Sequence, residues 1–309
     1  YAMQVLLEKL GRVLLPLLTP FDEEDQLNVQ ALAALVDYVI EQDYADSLIV
    51  AGTTGEFYAL SFEERIRAFE VVKEANAGRL PLIAGTGAAT TREAIAYTRK
   101  AEALGYDCAM VVSPYYQKAT QEGLYLHFKA VAEATKLPVM LYNIPLFTGV
   151  NIDSRTLERL ARDMPNILGI KEEAGINPTQ TTLFKMVVPE EFTIYCGDDT
   201  MVLQTFPQGA VGVVSGGSHV VGDLMKQMIQ RYIDGDVEGA SDIYLKMFPF
   251  FHSLTPGDRV NPIPVLKTVV SQTSGIDLGA PRLPSLGATE EELVGIKAAL
   301  QPLGKWPSE

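Results

Sequence analysis

Metal-ligating side chains are scarce in this sequence: 309 residues hold two cysteines and three histidines. Cys108 and Cys196 each sit in an apolar stretch without a second ligand at metal-binding spacing, and His127, His219 and His252 are scattered. Neither a metal site nor a disulfide framework is expected, and both cysteines read as reduced core residues of a cytoplasmic protein. Basic residues are also in short supply. Lys and Arg number 25 against 39 Asp and Glu, a formal charge of −14, so there is no basic face for nucleic acid. No apolar run reaches the roughly 20 residues of a membrane span. Residues 1–11 lack the basic flank and long apolar stretch of a secretory signal. Flexible linkers, repeats and low-complexity tracts are missing as well.

What the chain does contain is apolar residues, 47% of the total, enough for a sizeable core. They fall into eight short runs: Val13–Leu18, Ser47–Ala51, Pro81–Ala84, Cys108–Ser113, Val139–Asn143, Ile167–Lys171, Thr193–Gly197 and Gly209–Val214. These runs are continuously apolar rather than alternating, as strands covered on both faces are. Amphipathic stretches separate them, among them Val29–Gln42, Phe62–Ala75 and Thr91–Leu104. Ser61 with Glu64, and Thr90 with Glu93, have the spacing of a helix-capping pair, and Gly105 marks a helix stop. Eight strand–helix units predict an α/β fold, a (β/α)₈ TIM barrel over residues 1–232, followed by a helical C-terminal extension over 233–309. An open doubly wound sheet is disfavoured, because the first strand runs into Leu18-Thr19-Pro20-Phe21 rather than a glycine-rich phosphate loop.

In such a barrel the reactive groups stand at the carboxyl ends of the strands. Lys171 is unusual there, because it closes the apolar run Ile167-Leu168-Gly169-Ile170. A lysine carried into the interior tends to lose its proton, and a neutral amine attacks carbonyls to give a Schiff base. The competing reading is a structural ion pair with Glu172 or Glu173. Gly52-Thr53-Thr54-Gly55 offers amides and hydroxyls at a strand-to-helix turn, suited to a small carboxylate or simply to a tight turn. Tyr142 closes the fifth strand, either as a proton shuttle or as a core phenol. Tyr115 and Tyr116 follow the fourth strand and equally suit an interface.

Taken together, GTTGE at 52–56, AGTGA at 84–88, SPYY at 113–116, YNIP at 142–145, GIKE at 169–172 and GDD at 197–199 resemble the dihydrodipicolinate synthase / N-acetylneuraminate lyase family. Six stretches in order and in register are far more specific than any one. The resemblance implies a Schiff base between Lys171 and pyruvate or another 2-keto acid, with Thr53 and Thr54 on its carboxylate and Tyr142 moving protons. It implies a hydroxyl relay of Thr53, Tyr142 and Tyr116, the last from a neighbouring subunit, and a backbone carbonyl offered by Val214. It also implies a homotetramer built as a dimer of dimers, an aldehyde as second substrate, and no cofactor or metal.

The sequence departs from the synthase pattern at two places. Where the synthases carry an arginine for the carboxylate of aspartate semialdehyde, this chain has Phe147, which cannot pair with a carboxylate. Two places after the lysine, where a small residue or Thr is usual, stands Glu173, expected either to bind substrate hydroxyls or to be a solvated charge. Phe57, Tyr58 and Phe62 occupy the region that is polar in lysine-inhibited synthases and are expected to be core aromatics. The leading expectation is an aldolase or lyase joining pyruvate to an aldehyde, or cleaving a 2-keto-3-deoxy sugar acid. Dihydrodipicolinate synthase itself, with an arginine such as Arg259 standing in, is the alternative. A dehydratase and a non-catalytic keto-acid sensor are the others.

Overall fold

A computed structural model of the chain describes residues 4–173, 175 and 177–308. A short helix, α1 (Val5–Leu10), precedes the first strand and buries Leu6 and Leu10. Then come β1 (Val13–Pro16), α2 (Val29–Glu41), β2 (Ser47–Val50), α3 (Phe62–Asn76), β3 (Leu82–Gly85), α4 (Thr91–Ala103), β4 (Cys108–Val112) and α5 (Gln121–Glu133). The second half continues with β5 (Val139–Asn143), α6 (Pro145–Thr148), α7 (Ser154–Asp163), β6 (Ile167–Glu172), α8 (Thr179–Lys185), β7 (Thr193–Cys196), α9 (Val202–Thr205), β8 (Ala210–Val214) and α10 (Ser218–Ile233). The eight strands pair in parallel with their sequence neighbours, and β8 returns to β1 to close the barrel. Three helices follow: α11 (Val237–Ser253), α12 (Ile263–Ser274) and α13 (Glu290–Leu300).

Local chemistry accounts for most element ends. Ser61 Oγ accepts from the Glu64 amide at 3.1 Å while the Ser61 amide donates to Glu64 at 3.3 Å, so the expected capping box forms. At α4 the Thr90 hydroxyl accepts from the Glu93 amide and donates to the Glu93 carboxylate, without the return bond to the backbone. Gly105 has φ +79°, the left-handed turn that the sequence reserves for glycine. Strand β1 stops two residues earlier than expected, at Pro16, which has no N–H to continue the ladder. Strand β2 stops at Val50, because Ala51 turns to φ 58°. Strand β6 instead runs one residue past Lys171, to Glu172. Cys108 and Cys196 are buried free thiols. No helix among the described residues is long and apolar enough to cross a membrane.

Candidate active site

The carboxyl ends of the strands open into a cavity of about 530 Å³ roofed by α11 and the segment leading into α12. Thr53, Thr54, Tyr142, Phe147, Lys171, Glu173 and Val214 all line it. Strand register explains the central pair. Tyr142 on β5 stands opposite Lys171 on β6, which brings the Lys171 amine to 3.9 Å from the centre of the Tyr142 ring. Both side chains are buried. Burial pushes the Lys171 ammonium below its ordinary value, with Glu173 and Asp199 pulling the other way. The Tyr142 phenol is driven up, first by burial and then by the charge of Glu173.

Thr53 reaches the site from the turn after β2. Its hydroxyl donates to Tyr142 Oη at 3.3 Å. The turn is closed by the Gly55 amide on the Gly52 carbonyl and the Glu56 amide on the Thr53 carbonyl, both 3.0 Å, and by Thr19 Oγ1 on the Gly55 carbonyl at 2.7 Å. Val214 is the last residue of β8, its neighbour Ser215 being held by the Leu14 carbonyl at 2.9 Å.

Glu172 and Glu173 part company by strand alternation. Side chains one apart on a strand point to opposite faces, and those two apart share one. Glu172 therefore turns outward, where it accepts from Asn143 at 3.2 Å and Gln180 at 3.0 Å. Glu173 returns to the face of Lys171, half-buried on the cavity wall with its backbone amide fixed on the Asn143 carbonyl. Burial raises its carboxyl to about 8, against the pull of Lys171. A solvated strand-end charge is thus the wrong picture for Glu173.

Tyr116 is not part of this assembly within its own chain. Its side chain is 94% exposed and its backbone is left-handed, φ 77°. Phe147, on α6, is 40% exposed at the rim. Arg259 does not stand in for an arginine there. Its Nε and Nη2 hold Glu292 at 2.7 and 3.0 Å, and Nη1 and Nη2 hold the Leu286 and Gly287 carbonyls at 2.7 Å. Tyr58 is 48% exposed and so is not the core aromatic expected of it, whereas Phe57 is buried.

The Dihydrodipicolinate synthetase family model matches residues 9–303. The 4-hydroxy-tetrahydrodipicolinate synthase of Bacillus subtilis (strain 168) is 44% identical over 294 residues, 95% of this chain and 99% of the relative. The chain belongs to the dihydrodipicolinate synthetase family. The synthase of the same name from Moorella thermoacetica is 42% identical, over 95% of this chain and 98% of the relative. Among solved structures, dihydrodipicolinate synthase from Cyanidioschyzon merolae with lysine bound superposes with TM-score 0.90 at 37% identity, covering 96% of this chain and 98% of that one. The synthase from Aquifex aeolicus gives 0.89 at 32%, over 96% and 99%. As a family member the chain is an enzyme, a carbon–carbon lyase of the class I aldolase type.

Several lining residues escaped the reading of the sequence. Asp198 and Asp199 entered only within the GDD stretch of the resemblance. Met201, Gln204, Tyr244 and Phe251 were not singled out at all, yet they line the cavity. The available signal was α11, whose buried Met247, Phe250 and Phe251 form a stripe at helical spacing wide enough for two neighbours. Charge also distinguishes this cavity. Among the described residues, Lys171 is the only Lys or Arg that lines it, against Glu173, Asp198 and Asp199.

Proposed function

We propose that this enzyme condenses pyruvate with an aldehyde through a Schiff base on Lys171. The observation that carries the reading is the buried Lys171 amine beside Tyr142, whose hydroxyl is joined to Thr53. A lysine kept from full protonation by burial attacks the keto carbon, and the iminium then acts as an electron sink. A methyl proton leaves, the enamine attacks the aldehyde carbon, and the reverse course cleaves a 4-hydroxy-2-keto acid. Thr53 and Thr54 hold the pyruvate carboxylate, Val214 offers its carbonyl, and Tyr142 passes protons. Tyr116 of a neighbouring subunit completes the relay in a homotetramer, and two free buried thiols suit a cytoplasmic setting. General acid–base help of this kind contributes roughly 10²–10⁴-fold.

For the aldehyde, the relatives support the synthase reaction, in which pyruvate meets aspartate semialdehyde. Both relatives named above carry that activity in their names at over 40% identity. A second reading, a neutral or polyhydroxylated aldehyde as in sugar-acid aldolases, is favoured by the three acids and the Phe147 ring on the cavity wall. Pyruvate plus borohydride is expected to fix the mass of one reduced pyruvate on Lys171, with turnover on at least one aldehyde. An unmodified protein, or label on another lysine, overturns the Schiff-base reading; label without any turnover points to a sensor.

A further inference from the structure

Glu173 is a carboxyl group that the proposed reaction has not used. It shares a face with Lys171 because it stands two residues on, one past the end of β6. It lines the same cavity as the Tyr142 hydroxyl, and its charge helps to raise that phenol. Space is kept for it: a Cβ on Gly197 would stand 2.8 Å from Glu173 Cβ and 3.1 Å from Lys171 Cε, so the residue after β7 must be glycine for both side chains to fit. Each neighbouring acid has one oxygen tied to another donor, and the second oxygen of Asp199 is buried without a hydrogen-bond partner among the described residues. Asp198 accepts from the Thr200 amide and hydroxyl at 2.8 and 2.7 Å, and Asp199 accepts from the Gly217 amide at 3.0 Å.

We propose that Glu173 is the proton store behind Tyr142, taking up the proton that leaves the pyruvate methyl group and returning it for the aldehyde oxygen. This rests on the Schiff-base reading above. In the first half-step the methyl C–H bond of the iminium breaks and its electron pair forms the enamine C=C as the C=N pair moves onto nitrogen. The proton goes to Tyr142 Oη, and the proton of Tyr142 goes to Glu173. In the second, the enamine C=C pair bonds the aldehyde carbon, the nitrogen pair re-forms C=N, and the C=O pair moves onto oxygen. That oxygen takes the Tyr142 proton, and Glu173 returns its own to Tyr142. The net transfer is one proton from methyl carbon to alkoxide, with no further reactant.

Charge balance favours this arrangement in a buried site. The cationic iminium faces a carboxylate, and the neutral enamine faces a neutral carboxylic acid, so neither stage leaves a lone charge out of water. A carboxyl raised to about 8 can hold a proton near neutral pH, as an ordinary glutamate cannot. The titratable groups whose charge reaches it are Lys171 on β6, Tyr142 on β5, Cys196 at the end of β7, Asp198 and Asp199 beyond it, and Glu172 from the opposite face of β6. The step from Tyr142 to Glu173 lies within one chain.

The test is exchange of the pyruvate methyl protons in D₂O, followed by NMR without aldehyde, in wild type and Glu173→Gln. Borohydride trapping at Lys171 is run beside it. The variant is expected to trap pyruvate at Lys171 like wild type and to exchange about tenfold or more slowly. It should also lose the limb of the wild-type exchange–pH profile that rises as Glu173 ionises. Trapping with wild-type exchange and an unchanged profile in the variant overturns the proton store and leaves the Schiff base standing. Failure of the wild type itself to trap pyruvate overturns both.

Discussion

Lys267 on α12 donates a hydrogen bond of 2.8 Å to Glu56 in the turn after β2, and both side chains are sealed from solvent. The pair joins the helical segment after the barrel to the loop that carries Thr53 and Thr54. Glu56 is held with φ 54°, and its other oxygen accepts from the Arg282 amide at 3.2 Å. Burial lowers the Lys267 pKa, and Glu56 opposes this. Removing one member leaves an uncompensated buried charge, which costs about 3–5 kcal/mol. Lys267→Met is therefore expected to lose that much in urea unfolding and to raise KM for pyruvate through the loosened turn. Glu56→Gln combined with Lys267→Met should cost less than the sum of the single changes. A Lys267→Met protein as stable as wild type would mean that the pair is not what holds the turn.

Tyr142→Phe separates the ring from its hydroxyl. The ring is buried and packs beside the Lys171 amine, so the fold should survive. The hydroxyl is the group bonded to Thr53, and its loss is expected to lower kcat by about 10²-fold or more while pyruvate is still trapped on Lys171. The measurement is steady-state kinetics with a thermal melt alongside. Near wild-type kcat would reduce the phenol to a packing element.

Some of this site was legible before any coordinates. Lys171 stood out because an ammonium does not belong at the end of an apolar strand, and Tyr142 because it closes the strand before. Continuous apolar runs gave the barrel, since strands covered on both faces have little room for anything else. Glu173 was left open between binding substrate hydroxyls and a solvated charge because the strand was ended at Lys171; one more residue of pairing, to Glu172, and simple alternation place its side chain on the cavity wall. The roof of the cavity was out of reach for a different reason. Tyr244 and Phe251 line the same cavity as Lys171 only through the packing of α11, a relation at long sequence separation that no local period records. Arg259 looked available because its partner Glu292 lies 33 residues away.

In the proposed relay, Tyr116 is the residue that a neighbouring subunit supplies. A tyrosine in the left-handed region costs roughly 1–2 kcal/mol, and its ring makes up nothing of this by burial in its own chain. Sedimentation is expected to give an oligomer, and Tyr116→Phe to lower kcat more than it changes KM for pyruvate. A monomer with full activity would leave Tyr116 no route to a neighbour's site and would remove it from the relay.

Phe147 is expected to discriminate between the two aldehydes of the proposed function. Its ring occupies the rim where the synthase pattern places an arginine, and Arg259 is held by Glu292 and two carbonyls. A bidentate arginine–carboxylate contact in a partly dry site contributes roughly 1.5–3 kcal/mol. At about 1.36 kcal/mol per tenfold, its absence amounts to about one to two orders of magnitude in kcat/KM for a carboxylate-bearing aldehyde. Glu173, Asp198 and Asp199 act in the same direction whenever they are ionised, since a carboxylate tail then enters a cavity already lined with negative charge. A hydroxylated tail meets no such repulsion and finds acceptors on the same acids. The expected outcome is that Phe147→Arg raises kcat/KM for aspartate semialdehyde by ten- to a hundredfold and leaves that for a neutral, sugar-derived aldehyde unchanged or lower. The comparison requires both aldehydes against both proteins under pyruvate saturation. Should wild type already favour the semialdehyde and the arginine add nothing, the carboxylate must be held by backbone or hydroxyl donors such as the Asn261 amide on the cavity wall, and the synthase reaction of the relatives is the correct reading.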